Sequence, residues 1–177
     1  MNEPLTGDKV LLIGMMGAGK STVGAALATR LGWPYLDNDL LLERTSGATA
    51  AEVLAAGGEQ ALRAAEARVL TVMLALPGAV IGGLPAGVVL DASGRARIIA
   101  SPSHVVWLRA TPAVLGRRIA TSSLRPFLGA DPLVVLRRMA AERQAMYAEV
   151  ADQVIDVDTL PASAVASLIV EALPVRV

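Results

Sequence analysis

Apolar positions in this chain follow two rhythms that alternate from one end to the other. Short unbroken apolar runs are separated by longer stretches in which apolar side chains recur every three or four residues. The run KVLLI at 9–13 ends at a glycine, which predicts a strand buried on both faces. Val23, Ala26, Leu27 and Leu31 repeat at helical spacing over 20–31, Gly32 closes that helix and Pro34 stops it. Tyr35 and Leu36 predict a short strand ending at Asp37. Thr49-Ala-Ala-Glu52 is a capping box that opens a helix, and 59–76 reads as a longer helix stopped by Pro77-Gly78. Strands are expected at 79–81 and 105–108. Thr111-Pro112 opens a further helix, with threonine as cap and proline in the first helical position. A loop is expected over 122–131, a helix from Asp131-Pro132 to about 150, a last strand over 154–157 and a closing helix over 162–172. This alternation predicts an α/β fold with a parallel sheet of about five strands and helices on both faces. No internal repeat or linker interrupts it, so 1–177 reads as one domain.

Composition narrows the picture. Hydrophobic residues make up 54% of the chain, yet only two Trp, two Tyr and one Phe are present, so the core must be built of aliphatic side chains. Sixteen basic residues balance sixteen acidic ones, and the broad basic field that nucleic-acid binding needs is missing. The absence of cysteine excludes disulfides and thiolate chemistry. The single histidine, His104, precedes an apolar run and reads as structural. The polar opening residues do not suit a secretory signal, no window approaches roughly 18 uncharged apolar residues, and no membrane span is expected. The expected compartment is the cytoplasm.

Chemistry enters at 14–21, Gly-Met-Met-Gly-Ala-Gly-Lys-Ser, which fits G-x-x-x-x-G-K-[ST] between a predicted strand and a predicted helix. Gly14, Gly17 and Gly19 let the backbone curl until its N–H groups point inward, and the helix N-terminus adds its positive end. Lys20 can reach β- and γ-phosphates and Ser21 can ligate Mg²⁺. The guanine-specificity pattern N-K-x-D is absent. Asp37 and Asp39 stand at a strand's carboxyl end, where ligands bind in open α/β sheets. One can support a metal through water and the other can hold or deprotonate a hydroxyl. Arg63, Arg125 and Arg143 are donors suited to carboxylate or phosphate, although each taken singly reads as a surface charge.

Together these features resemble the shikimate kinase family over nearly the whole chain. The resemblance rests on GMMGAGKST, on Tyr35-Leu36-Asp37-Asn38-Asp39, on GGEQALRAAE at 57–66, on VVWLRA, RRI and RPFL, and on ERQAMYAEVAD. It implies a three-layer αβα P-loop kinase fold with a mobile lid at about 121–131 and a substrate-binding segment at about 39–66. It implies ATP-dependent phosphorylation of the shikimate 3-hydroxyl, a step towards chorismate and the aromatic amino acids, by a monomer with Mg²⁺ as cofactor. Lys20, Asp39 and Arg125 would be catalytic. Gly14, Gly17, Ala18, Gly19, Lys20, Ser21, Thr22, Arg118 and Arg125 would bind ATP, with Arg118 packed on adenine. Ser21 and Asp37 would hold the metal. Asp39, Arg63, Gly82, Gly83 and Arg143 would bind the substrate, the two arginines gripping its carboxylate.

One stretch departs from the family. Three consecutive glycines are expected after the third strand, and here the chain reads Gly82-Gly83-Leu84-Pro85-Ala86-Gly87. Leu84 brings a side chain to a place where backbone should approach the ligand, and Pro85 has no N–H to donate. That departure keeps two other readings open. One is a kinase for a related hydroxy acid or cyclitol. The other is a module that binds ATP or shikimate without turnover.

Overall fold

The computed structural model describes residues 9–120 and 131–173. Five strands, β1 (Lys9–Ile13), β2 (Tyr35–Leu36), β3 (Val80–Gly83), β4 (Ser103–Arg109) and β5 (Gln153–Asp156), form one sheet in the order β2-β3-β1-β4-β5. Every pairing is parallel; Leu12 lies opposite Gly83 on one side and Val106 on the other. The central strand must therefore be apolar on both faces, and Val10, Leu11, Leu12 and Ile13 are fully buried.

Helices α1 (Lys20–Leu31) and α7 (Ala162–Ala172) pack together on one face. The other helices are α2 (Asn38–Ser46), α3 (Ala50–Ala75), α4 (Ala92–Ile99), α5 (Pro112–Ile119) and α6 (Pro132–Val150); α3 and α6 each lie against α4, and all three lie against the short turn at Val88–Leu90. The expected α/β architecture with a five-stranded parallel sheet is present. No helix among the described residues is long and apolar enough to cross a membrane.

Punctuation residues act as expected. Gly32 ends α1 in the left-handed conformation, Thr49 and Glu52 cap each other, and Thr111 and Asp131 cap the helices that begin with prolines. The helix expected from 59 is continuous with the one the capping box opens, but it breaks at Gly58, where φ is 67° and ψ −168°. A side chain is strained at that angle, so glycine lets the second half of α3 set off in a new direction. That half carries Arg63 and Glu66.

Two helices escape the periodicity reading. Helix α2 begins directly at the acidic strand end, because the Asp37 side chain accepts the Asp39 N–H and caps it. Leu42 anchors it against Ala65 and Val69 of α3. Helix α4 is capped by Asp91 and carries little apolar signal beyond the buried Ile98. Strand β3 also runs on through Gly82 and Gly83, beyond the expected 79–81.

Candidate active site

The site forms along the carboxyl ends of β1, β2 and β3. Between β1 and α1 the chain curls through Gly14 (φ 142°), Gly17 (φ 77°) and Gly19 (φ 97°). These angles are open to glycine and costly for other residues, and they let the loop curl back on itself, the Ala18 N–H donating to the Met15 carbonyl at 3.1 Å. Lys20 folds back over the loop and donates to the carbonyls of Gly14 at 2.9 Å and Met15 at 3.2 Å. Burial of its ammonium brings its pKa down to about 8, against the opposing pull of Asp39, Asp37 and Glu66. The residue as a whole is only half-buried, so the enclosure is local to the amine.

Asp37 gathers donors. Its Oδ2 accepts from the Ser21 hydroxyl at 2.6 Å and the Tyr35 hydroxyl at 3.0 Å, and its Oδ1 accepts from the Asp39 N–H at 2.9 Å. Burial works against its charge. The bonds from Ser21, the Asp39 N–H and Tyr35 outweigh that and hold the carboxyl below its ordinary range. Ser21 and Asp37 thus present a hydroxyl and a dependable carboxylate side by side, a hard oxygen pair of the kind Mg²⁺ takes.

Asp39 behaves oppositely. Burial and the neighbouring Asp37 charge push its pKa up, and Lys20 and Asn38 pull it down, with Asn38 Nδ2 donating to its Oδ1 at 2.6 Å. Two carboxylates two residues apart therefore diverge. One stays ionised as a ligand, and the other becomes a stronger base.

Tyr35 has no assigned role in the sequence reading, although it adjoins Asp37. Its ring fills the notch left by Gly24, where a Cβ would overlap it, and its hydroxyl stands 2.7 Å from where a Cβ on Gly83 would be. Gly83 therefore faces Tyr35 and Asn38 beside the aspartates. Gly82 faces the core instead, where a Cβ would overlap the Met73 sulfur.

Across from the aspartates lies a cluster from three segments. Arg63 pairs with Glu66 one helical turn later on α3, and Glu66 is buried. Burial raises the Glu66 pKa, opposed by Arg63, Arg143 and the nearby Gly87 N–H. Arg143 reaches in from α6 almost fully buried, its Nη1 donating to the Ala86 carbonyl at 3.3 Å. The Tyr147 hydroxyl donates to the same carbonyl at 2.7 Å, while its ring stacks on Trp107 at 5.5 Å. The Arg143 Nε–H is buried and has no acceptor among the described residues. A buried guanidinium donor without a protein acceptor is costly unless a ligand supplies one. Two arginines against one glutamate leave the cluster one positive charge in excess, which suits a single carboxylate.

The structure corrects the expectation for Leu84. Its side chain does not enter the site: it is fully buried within the main core, and its N–H continues the sheet to the Leu12 carbonyl at 2.9 Å. Burying a leucine contributes about 2 kcal/mol, which favours this inward turn. Backbone still meets the cluster, further along the same segment, at Ala86 and Gly87.

Arg118 closes the opposite end. Its Nη2 donates to the Val157 carbonyl at 2.8 Å and its Nη1 reaches the Gly17 and Ala18 carbonyls at 3.4 Å. Beside it lies a cavity of about 220 Å³ lined by Gly19, Thr22, Arg118, Val157 and Leu160. It opens next to the phosphate loop, and its apolar walls suit a flat base. A second cavity of about 200 Å³ lies between β4, α5 and α6 and holds none of the expected site residues. There Arg109 is bound to Asp156, Nη2 to Oδ2 at 2.7 Å, and lies over the Trp107 ring. His104 meets Gln153 at 3.1 Å, away from the site. Arg125 and the loop expected to be a lid, apart from Asp131, lie outside the described residues. Lys20, Asp37, Asp39, Arg63 and Arg143 are brought into one connected neighbourhood, with Tyr35, Glu66, Gly87 and Tyr147 added to it.

Comparison with known proteins follows the same lines. The sequence profile of the family described as Shikimate kinase matches residues 16–174. A shikimate kinase of Symbiobacterium thermophilum is 40% identical over 172 residues, covering 94% of this chain and 97% of its own. One of Caulobacter vibrioides is 39% identical over 149 residues, covering 82% and 72%. Among solved structures, a shikimate kinase from Acinetobacter baumannii in complex with shikimate superposes with a TM-score of 0.86 at 30% identity, covering 96% of this chain and 92% of the other.

Proposed function

The chain belongs to the shikimate kinase family, and on that footing we propose that it transfers the γ-phosphoryl group of ATP to the 3-hydroxyl of shikimate, giving shikimate 3-phosphate and ADP. The observation that carries this reading is the meeting of a strengthened carboxylate base, Asp39, with a phosphate-loop lysine and a cluster whose surplus charge fits one carboxylate. The acceptor would place its carboxylate between Arg63 and Arg143 and its hydroxyl against Asp39. Asp39 accepts the hydroxyl proton as the oxygen attacks phosphorus, and the bond from the γ-phosphorus to the β,γ-bridging oxygen breaks.

Lys20 balances the charge that builds on the departing and transferring oxygens. In the free protein its ammonium sits on loop carbonyls; phosphate oxygens are stronger acceptors for the same donor. Ser21 and Asp37 are the pair that would hold Mg²⁺. When bound, that ion would neutralise part of the phosphate charge. Adenine is assigned to the cavity beside Arg118, and Arg125 to the transferring phosphoryl group on the strength of its RPFL motif. The chain is taken as one catalytic domain, with the acceptor segment over about 39–66.

Leu84 no longer argues for a different acceptor, since its side chain turns away from the site. The test is a coupled ADP-release assay with shikimate, an analogue lacking the carboxylate, and one lacking the 3-hydroxyl. Saturable turnover with shikimate and none with the 3-deoxy analogue is expected. Absence of turnover with shikimate, alongside turnover of another polyol acid, would overturn the assignment.

A further inference from the structure

We infer that the Ala86–Gly87 peptide positions the two acceptor-binding arginines, and that Gly87 is a specificity-determining residue because a side chain there would push Arg63 out of place. The inference rests on the acceptor reading above, and it concerns the stretch in which the chain departs from its family.

The peptide sits between the arginines, hydrogen-bonded on one side and tightly packed on the other. Its carbonyl, from Ala86, accepts from Arg143 Nη1 at 3.3 Å and from the Tyr147 hydroxyl at 2.7 Å. On its other side the Gly87 Cα packs directly against Arg63 and Glu66, which are paired with each other. One planar group thus links α6 to α3, and a peptide plane is stiff. The separation of Arg63 from Arg143 is set across it.

Gly87 is not needed for its backbone angles. Its φ of −90° and ψ of −6° are open to any residue. The reason for glycine lies in its neighbours. A Cβ at this position would overlap Arg63 Nη1 outright and stand 2.5 Å from Glu66 Oε2. The atom in the way is the tip of a long side chain rather than backbone. The guanidinium can yield by roughly 2 Å to regain van der Waals distance, and the fold need not move. Pro85 supports the arrangement from the other side: its carbonyl accepts the Val88 N–H at 3.1 Å, opening the short turn in which Gly87 lies.

Gly87→Ala should raise the KM for shikimate about tenfold, the loss of roughly one charge-assisted hydrogen bond, with kcat and the KM for ATP close to those of the unaltered chain. In an Arg63→Ala background the same substitution should add nothing, since the displaced group is gone. An unchanged shikimate KM in Gly87→Ala would overturn the inference, as would an equal further loss in the Arg63→Ala background. Tyr147→Phe keeps the ring stack and removes one donor to the Ala86 carbonyl. It should raise the shikimate KM by about threefold, and no shift there would count against the peptide's role even if Gly87→Ala failed to fold. A crystal structure of Gly87→Ala without substrate reads the same point independently of the acceptor's identity: Arg63 moved off Glu66 is expected, and an unmoved Arg63 overturns the inference. Failure of the unaltered chain to turn over shikimate counts against the acceptor reading alone.

Discussion

The phosphate loop and the acceptor cluster face each other across the ends of β1, β2 and β3, yet they are made of different material. The loop is one continuous stretch of eight residues whose working parts are backbone N–H groups, a helix terminus and a single lysine. Its geometry follows from three glycines at positive φ, and its partners are its own carbonyls. The acceptor cluster is side chain for the most part. It draws Arg63 and Glu66 from α3, Arg143 and Tyr147 from α6, and one peptide from the segment after β3. A site written in local backbone survives much change elsewhere in the chain. A site assembled from segments far apart in the chain depends on every element that carries it, and small shifts there select among acceptors.

Asp39 stands where the two meet, so its loss separates chemistry from both kinds of binding. Asp39→Asn keeps the shape and removes the base. It should lower kcat by about 10³-fold, within the range for a positioned general base, while ATP affinity measured by titration stays near that of the unaltered chain. A kcat within a few-fold of the original would remove Asp39 from the proton transfer.

The same division decides how much of the molecule is legible in its amino-acid sequence. The loop is legible because its pattern is contiguous and its glycines have a local reason. Asp37 and Asp39 are legible as a pair, but nothing beside them declares that Asp37 caps a helix. Helix α2 escapes for that reason: its support is Leu42 meeting Ala65 and Val69, far along the chain. Helix α4 escapes because its apolar face is little more than Ile98. Glu66 lies within the GGEQALRAAE stretch without a role, since only burial against Gly87 and Arg143 gives it one. Leu84 is expected in the pocket because a strand's end, unlike its middle, does not declare which face a residue takes. The core takes it, and the approach of backbone to the arginines passes to Gly87.

Arg143→Lys tests whether the cluster acts by geometry or by charge. Lysine keeps the charge and loses the planar fork, together with the donor that reaches the Ala86 carbonyl. Loss of a charge-assisted bond of about 1.5–3 kcal/mol should raise the shikimate KM roughly 10- to 100-fold, with the KM for ATP unchanged. A parallel rise in the KM for ATP would mean that the two sides are not separate, and the comparison would fail.

The reciprocal probe acts on the loop alone and needs no substitution. Burial brings the free Lys20 ammonium down to about pH 8, and the approach of phosphate raises it again, because the charged form gains a partner that the neutral form cannot use. ATP therefore binds the protonated form. Well below pH 8 the lysine already carries its proton and affinity should be nearly flat in pH. Above pH 8 a growing share of the free protein must take up a proton to bind, and affinity should fall, by about twofold at pH 8 and about tenfold at pH 9. Shikimate affinity should not follow this curve, since its carboxylate is assigned to Arg63 and Arg143 and makes no use of Lys20. Calorimetric titration of each ligand from pH 7 to pH 9 distinguishes the two. Proton uptake on ATP binding, seen as a dependence of the observed heat on buffer ionisation, should accompany the fall, and a flat ATP curve to pH 9 would remove Lys20 from that role.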